Sequence, residues 1–279
     1  MNKRFNVFAS LGMLLLLGGM NSAFAQQAVP WQMGFQEAAT PVMERIIDLH
    51  NLLLWITSGI VLFVLLLLAI VVVRFNEKSN PVPSTVTHNT WLEVAWTVIP
   101  IIILVVIAVP SLRLLYFMDK TYESEMTLKV TGHQWYWSYE YPDDGNFTFD
   151  SVIVEDEDLE PGQPRLLTVD EEVVLPINTN IRILLASEDV IHNWAIPSFG
   201  IKIDTVPGRI NETWVRITRE GVFKGQCSEL CGVNHGFMPV SVTAVSKAAY
   251  KEWVAQAQQK YAKVGEDHIR IAKAINLAQ

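Results

Sequence analysis

Two apolar stretches constrain this chain most. Leu52 to Val73 runs 22 residues without a charge, and Ala95 to Tyr116 runs another 22 interrupted only by Arg113 near its end. As helices rising 1.5 Å per residue, each reaches roughly 33 Å, enough to cross a hydrocarbon core of about 30 Å. The connector between them carries Arg74 and Lys78, which favours a cytoplasmic position. A third apolar run, from about Phe5 to Met20, follows Lys3 and Arg4 and ends at Ala23-Phe24-Ala25, a small-x-small cleavage pattern. Residues 1–25 are therefore predicted to be a secretory signal peptide. A first membrane helix is the alternative, disfavoured by Gly12, Gly18 and Gly19. Cleavage leaves the new N-terminus outside, and two crossings return the chain there. The expectation is a multi-pass protein of a bacterial inner membrane, with residues 26–120 forming an N-terminal segment and a two-helix hairpin, and both termini in the periplasm.

Past Lys120 the pattern changes. Residues 126–131, 135–141, 165–168, 172–177, 180–187, 212–218 and 238–245 are rich in Val, Ile, Thr and aromatics. Turn signals separate them at Pro142-Asp143-Asp144-Gly145, Pro161-Gly162 and Pro207-Gly208. Seven or more short strands within residues 121–245 predict an all-β antiparallel sandwich or barrel. If 135–141 is one strand, Trp135, Trp137, Tyr139 and Tyr141 share a face, and so many rings cannot all be buried in a small sandwich. In the last segment, 246–279, Tyr250, Trp253, Val254, Ala257 and Tyr261 form one helical stripe, predicting an amphipathic helix that packs on the sandwich. Thr90 and Glu93 fit a capping box at the start of the second membrane helix, and Pro100 and Pro110 are expected to bend that helix.

From residue 121 onward the chain has 14 Lys and Arg against 23 Asp and Glu. That acidity argues against a nucleic-acid partner. It suits either ordinary solubility or a basic protein steered to this surface.

The chemistry is concentrated in Cys-Ser-Glu-Leu-Cys-Gly-Val-Asn-His-Gly-Phe-Met, residues 227–238, which holds the only two cysteines of the chain. Two thiols, an imidazole and a thioether suit copper better than hard ions. If His192 supplies an outside imidazole and the backbone carbonyl of Glu229 also binds, there are six groups, too many for one four-coordinate ion. With both sulfurs bridging, the same groups make enough bonds for two. Two other readings remain open. Two cysteines in an exported chain commonly form a disulfide. Zinc could take Cys227, Cys231, His235 and His192, leaving Met238 without a role. A thiol-disulfide oxidoreductase would want Cys-x-x-Cys at a helix start, whereas the spacing here is Cys-x-x-x-Cys.

The run 227–239 resembles the binuclear copper A loop of cytochrome c oxidase subunit II, and the resemblance extends over nearly the whole chain after residue 25. Ser187-Glu-Asp-Val-Ile-His-Asn-Trp-Ala-Ile-Pro (187–197) matches that family's first copper-ligand segment, and Gly132-His-Gln-Trp-Tyr-Trp-Ser-Tyr-Glu-Tyr (132–141) its aromatic run. The resemblance implies a cupredoxin-like sandwich. His192, 35 residues before Cys227, fits the cupredoxin plan of one distant imidazole and a late ligand loop. It implies two copper ions held by His192, Cys227, Glu229, Cys231, His235 and Met238, with the Glu229 carboxylate also reaching a magnesium ion at the border with subunit I. It implies that electrons from cytochrome c enter at Trp135, with Tyr136 on the path, and that Glu140, Asp170, Glu188 and Asp189 meet the donor's lysines. Glu93, within Trp-x-Glu-x-x-Trp-Thr (91–97), would mark the mouth of a proton pathway. Haem would reside only in subunit I.

The function expected is thus that of the electron-accepting subunit of an aa3-type, proton-pumping oxidase, which itself reduces no oxygen. The alternatives are a copper A subunit of another respiratory reductase, or a zinc- or disulfide-stabilised membrane-anchored binding domain. The intact ligand set argues against a quinol oxidase subunit. The absence of a large extra domain argues against nitrous oxide reductase, and no Cys-x-x-Cys-His marks a fused cytochrome c. The acidic run 155–158 and the last residues to 279 receive no role.

Overall fold

The computed structural model describes residues 26–120 and 123–261. The expected signal peptide and the tail beyond residue 261 lie outside the described residues. The chain forms two units, one spanning 41–122 and one made of 26–40 together with 123–261.

The first unit is a pair of helices, α1 (Pro41–Arg74) and α2 (Thr90–Asp119), of 34 and 30 residues. Each contains its expected span and extends past it, reaching roughly 51 and 45 Å. Pro41 opens α1, where its missing N–H costs nothing. The start of α2 corrects the expected capping box. The cap is Asn89, whose side-chain oxygen accepts from the amides of Trp91 at 3.0 Å and Leu92 at 3.2 Å. Thr90 already lies inside the helix, so the reading was displaced by one residue. α2 continues through both Pro100 and Pro110. Leu62, Phe63, Leu66, Ile101, Leu104 and Val105 all lie exposed. An apolar surface of that extent calls for lipid or partner helices around it.

The second unit is a sandwich of two five-stranded sheets. One contains β1 (Met126–His133), β2 (Tyr136–Tyr141), β3 (Phe147–Ser151), β5 (Ile181–Ser187) and β8 (Asn211–Val215), in the order β3-β2-β1-β5-β8. The other contains β4 (Val173–Pro176), β6 (His192–Ile196), β7 (Ile201–Thr205), β9 (Gly221–Cys227) and β10 (Pro239–Val245), in the order β4-β10-β9-β6-β7. β1 pairs in parallel with β5 and β10 with β4, and the other pairings are antiparallel. Strands β1, β2 and β5 alternate buried and half-buried residues, as a sheet with one face on the core must. Leu128, Val130, Trp137, Tyr139, Ile183 and Leu185 meet Trp194, Phe223, Val240 and Val242 in one core.

The strand expected at 165–168 is a turn. Leu166 adopts φ +63°, and the Thr168 hydroxyl donates back to the Pro164 carbonyl at 2.9 Å. Four strands went unread in the sequence: β3, β6, β7 and β9. A helix over 247–261 (α3) closes the unit as expected, with Tyr250 and Ala257 buried and Trp253, Val254 and Tyr261 against the core. The segment before the hairpin also packs on the sandwich. Gln26 forms a bridge to Phe223, the Ala39 amide donates to the Ser198 carbonyl at 2.9 Å, and the Thr218 amide donates to the Ala39 carbonyl at 2.9 Å.

Candidate metal centre

The second sheet places the chemistry. β6 begins with His192, β9 ends with Cys227, and β10 begins immediately after Met238. Trp194 of β6 pairs with Cys227 of β9, which brings the distant imidazole to the root of the loop. The loop is tied at its base: the Cys227 amide donates to the Met238 carbonyl at 3.2 Å, and the Ser228 amide to the Asn193 carbonyl at 3.0 Å.

Two glycines make this approach possible. A Cβ at Gly225 would lie 1.9 Å from the Ala195 carbonyl oxygen, so only glycine lets β9 approach β6 this closely. A Cβ at Gly132 would lie 2.8 Å from the His192 ring, which occupies that space instead.

His192, Cys227 and Cys231 present ligand atoms all within 4.8 Å of one another. The two sulfurs are 3.9 Å apart, and both are free thiols. The Cys231 sulfur lies 3.5 Å from the Met238 sulfur and 3.6 Å from Nδ1 of His235. The Cys227 sulfur lies 3.3 Å from the Glu229 carbonyl oxygen, while Glu229 itself is exposed. The six groups expected to serve copper are therefore gathered in one place. His192 and Met238 are wholly buried and His235 is half-buried.

The donor set fits a soft metal, and one atom argues for it independently. Nε2 of His192 lies 2.8 Å from Oδ1 of Asp189, whereas Nδ1 is buried without a hydrogen-bond partner. A buried, unpartnered ring nitrogen is costly unless something binds it. An imidazole held through its other nitrogen by a carboxylate is the usual arrangement of a metal ligand. Burial lowers the proton affinity of His192, but the Cys227 sulfur and the Asp189 carboxylate outweigh this and raise its pKa. Burial alone would push the Cys227 thiol up, yet His192 and the neighbouring amides bring it below the usual range. Burial and the adjacent Cys227 push Cys231 upward.

The aromatic run divides in a way the sequence did not convey. Trp137, Tyr139 and Tyr141 are fully buried. Trp135 is not in a strand: it stands with Gln134 in the turn between β1 and β2, half-exposed. Its indole N–H donates to the Cys231 carbonyl at 3.3 Å, and the Gln134 side-chain amide donates to the same oxygen at 2.7 Å. The Tyr136 ring stacks on His133, centroids 4.4 Å apart. Trp137 donates to the Met238 carbonyl at 3.3 Å and sets its ring edge-on to His192.

The four acids expected to meet a partner are differently employed. Glu188 is 74% exposed, with its carboxylate 3.6 Å from the His133 ring. Glu140 is paired with Lys129 at 2.7 Å. Asp170 accepts from the amides of Val152 and Glu171, both at 2.7 Å. Asp189 holds His192 with one oxygen and accepts from the Gln134 amide with the other, at 2.6 Å. Glu93, in the other unit, is exposed in the first turn of α2.

The contributions of Gln134, Gly132, Gly225 and Trp137 were not anticipated. For Asp189 a signal existed, since an acid three residues before the candidate ligand His192 could have been read as its partner.

Residues 126–245 match the family described as cytochrome c oxidase subunit II, periplasmic domain, and residues 28–114 match that described as cytochrome c oxidase subunit II, transmembrane domain. A probable cytochrome c oxidase subunit 2 from Rickettsia bellii is 51% identical over 262 residues, covering 94% of this chain and 96% of that protein. Cytochrome c oxidase subunit 2 of Phytophthora megasperma is 52% identical over 236 residues, covering 83% of this chain and 89% of that protein. The crystal structure of the periplasmic domain of subunit II of cytochrome oxidase of Bradyrhizobium japonicum is 48% identical, covering 51% of this chain and 99% of that one, with a TM-score of 0.48.

Proposed function

Because the chain belongs to the cytochrome c oxidase subunit II family, we propose that it is the electron-accepting subunit of an aa3-type oxidase. In this reading His192, Cys227, Cys231, His235, Met238 and the Glu229 carbonyl hold a binuclear copper A centre. The observation that carries it is the pair of free sulfurs 3.9 Å apart, surrounded by two imidazoles, a thioether and a carbonyl. Bound there, two copper ions supply one-electron transfer.

The chain's own residues do the rest. Asp189 fixes the His192 ring, and the paired strands β6 and β9 hold Cys227 against it. A rigid ligand frame keeps geometry constant when the charge changes, which keeps reorganisation small. Trp135 receives the electron from ferrocytochrome c at the surface, and its hydrogen bond to the Cys231 carbonyl couples the indole to a ligand residue. Tyr136 borders this path. Glu188 leads the docking of the basic donor, and Glu140, Asp170 and Asp189 contribute negative field. The exposed Glu229 carboxylate offers an oxygen ligand of the kind magnesium takes, at the border with subunit I. Haem in subunit I would be the next acceptor, serving oxygen reduction coupled to proton pumping. Glu93, exposed at the cytoplasmic end of α2, stands at the mouth of a proton pathway. The hairpin spans the bacterial inner membrane with both termini in the periplasm.

The test is stopped-flow mixing of the assembled, copper-loaded oxidase with ferrocytochrome c. Wild-type complex takes up electrons rapidly. A Cys227→Ser complex that accepts them equally fast would overturn the reading.

A further inference from the structure

We propose that the helix pair carries a binding site for one anionic phospholipid, of the phosphatidylglycerol type, at the end of the hairpin from which the chain continues into the sandwich. α1 and α2 enclose a cleft of about 330 Å³ there. Its charged lining is Arg45 and Asp48 from α1 and Arg113 from α2, and Leu49, Leu52 and Leu114 supply apolar surface. The spacing follows from the helices. Arg45, Asp48, Leu49 and Leu52 fall at i, i+3, i+4 and i+7 on α1, and Pro110, Arg113 and Leu114 at i, i+3 and i+4 on α2, so each set forms one stripe.

Arg113 lies 18 residues past Ala95, where the second span begins, roughly 27 Å along it and so at the outer edge of a hydrocarbon core of about 30 Å. Arg45 lies 29 residues from Arg74 on α1, roughly 44 Å away and beyond that edge. The cleft therefore sits where headgroups meet acyl chains.

Among the described residues neither arginine nor Asp48 forms an ion pair. Arg45 instead lies over the Phe117 ring, 3.4 Å from its centroid, which orients the guanidinium without neutralising it. Two arginines and one aspartate leave a net charge of +1, which one phosphodiester cancels. Arg113 interrupts an otherwise apolar stretch, and an ionisable residue in that setting calls for a counter-charge. Guanidinium binds phosphate oxygens in a fork, and the net charge of +1 favours a headgroup of net charge −1 over a zwitterionic one.

The full chain, reconstituted in nanodiscs containing equal phosphatidylglycerol and phosphatidylethanolamine, provides the test. Lipid retained per chain is read by native mass spectrometry after gentle detergent extraction. Wild type is expected to retain one phosphatidylglycerol, and the Arg45→Gln, Arg113→Gln double variant to lose it by about tenfold or more. Asp48→Asn should retain at least as much as wild type, which separates lost charge from lost folding. Equal retention of phosphatidylethanolamine, or a fall in Asp48→Asn, would overturn the proposal. So would retention that disappears once the chain is assembled with its partner subunits, since a neighbouring helix would then occupy the cleft.

Discussion

Asp189 holds His192: its Oδ1 lies 2.8 Å from Nε2 of the buried imidazole, leaving Nδ1 buried without a hydrogen-bond partner. The same carboxylate takes the Gln134 amide through Oδ2, so one acid orients the ring and the turn that carries Trp135. Asp189→Asn should therefore lower metal affinity by about 10- to 100-fold, the usual cost of losing a carboxylate behind a ligating histidine. Copper retained against a graded chelator measures it. Affinity equal to wild type would reduce Asp189 to surface charge.

Trp135 is joined to Cys231 by one hydrogen bond, from indole N–H to carbonyl. Trp135→Phe keeps an aromatic ring but removes that donor. Copper content should be unchanged, while electron uptake from cytochrome c falls by about tenfold or more, roughly 1.4 kcal/mol or more in barrier. Stopped-flow reduction of the assembled oxidase decides it. Uptake at the wild-type rate would move the point of electron arrival elsewhere.

Gly225 permits the contact between β9 and β6 that brings Cys227 to His192. The added methyl of Gly225→Ala would meet the Ala195 carbonyl at 1.9 Å, so the strands must separate. The expected loss is about 3 kcal/mol or more, together with impaired metal loading. Denaturant unfolding followed by circular dichroism, with copper analysis of the same samples, tests both.

Away from the metal, Glu172 joins Lys224 of β9 to Ser241 and Thr243 of β10. It lies 2.9 Å from the buried Lys224 ammonium and 2.7 Å from the Ser241 hydroxyl, and also accepts from Thr243. Burial would push its carboxyl up, but these two hydroxyls and the ammonium outweigh it and hold the pKa below the usual carboxylate value. A depressed folded pKa gives stability that is complete above the unfolded value of about 4.3 and is lost as pH falls through the folded one. Glu172→Gln should cost about 2 kcal/mol at pH 7, because Lys224 is left buried without its counter-charge. The penalty should shrink in acid as the wild type loses the same charge. Unfolding at pH 7 and pH 3.5 checks it, and an equal penalty at both would contradict this account.

Much of this structure was legible from side-chain pattern. The two spans follow from uninterrupted apolar length, and the α3 stripe from Tyr250 to Tyr261 follows from helical periodicity. The candidate metal loop was readable because its two thiols, imidazole and thioether are neighbours in sequence. What escaped was what depends on long-range pairing. β9 contains Gly221 and Gly225, poor strand formers in isolation, and is a strand because β10 pairs along it. β6 reads as a ligand segment until Trp194 is found opposite Cys227. The N-cap of α2 was displaced by one residue because Thr90 and Glu93 imitate a capping box that Asn89 supplies instead. Asp189 resembles a docking acid by composition, and only its position beside His192 gives it a structural task.

The central claim is that two sulfurs, Cys227 and Cys231, hold two copper ions. Copper per chain, determined together with the electron paramagnetic resonance spectrum of the purified, copper-loaded protein, tests it most directly. The account predicts two coppers per chain sharing one unpaired electron, a signal that Cys227→Ser abolishes. One zinc per chain, or a Cys227–Cys231 disulfide with no metal bound, would contradict it.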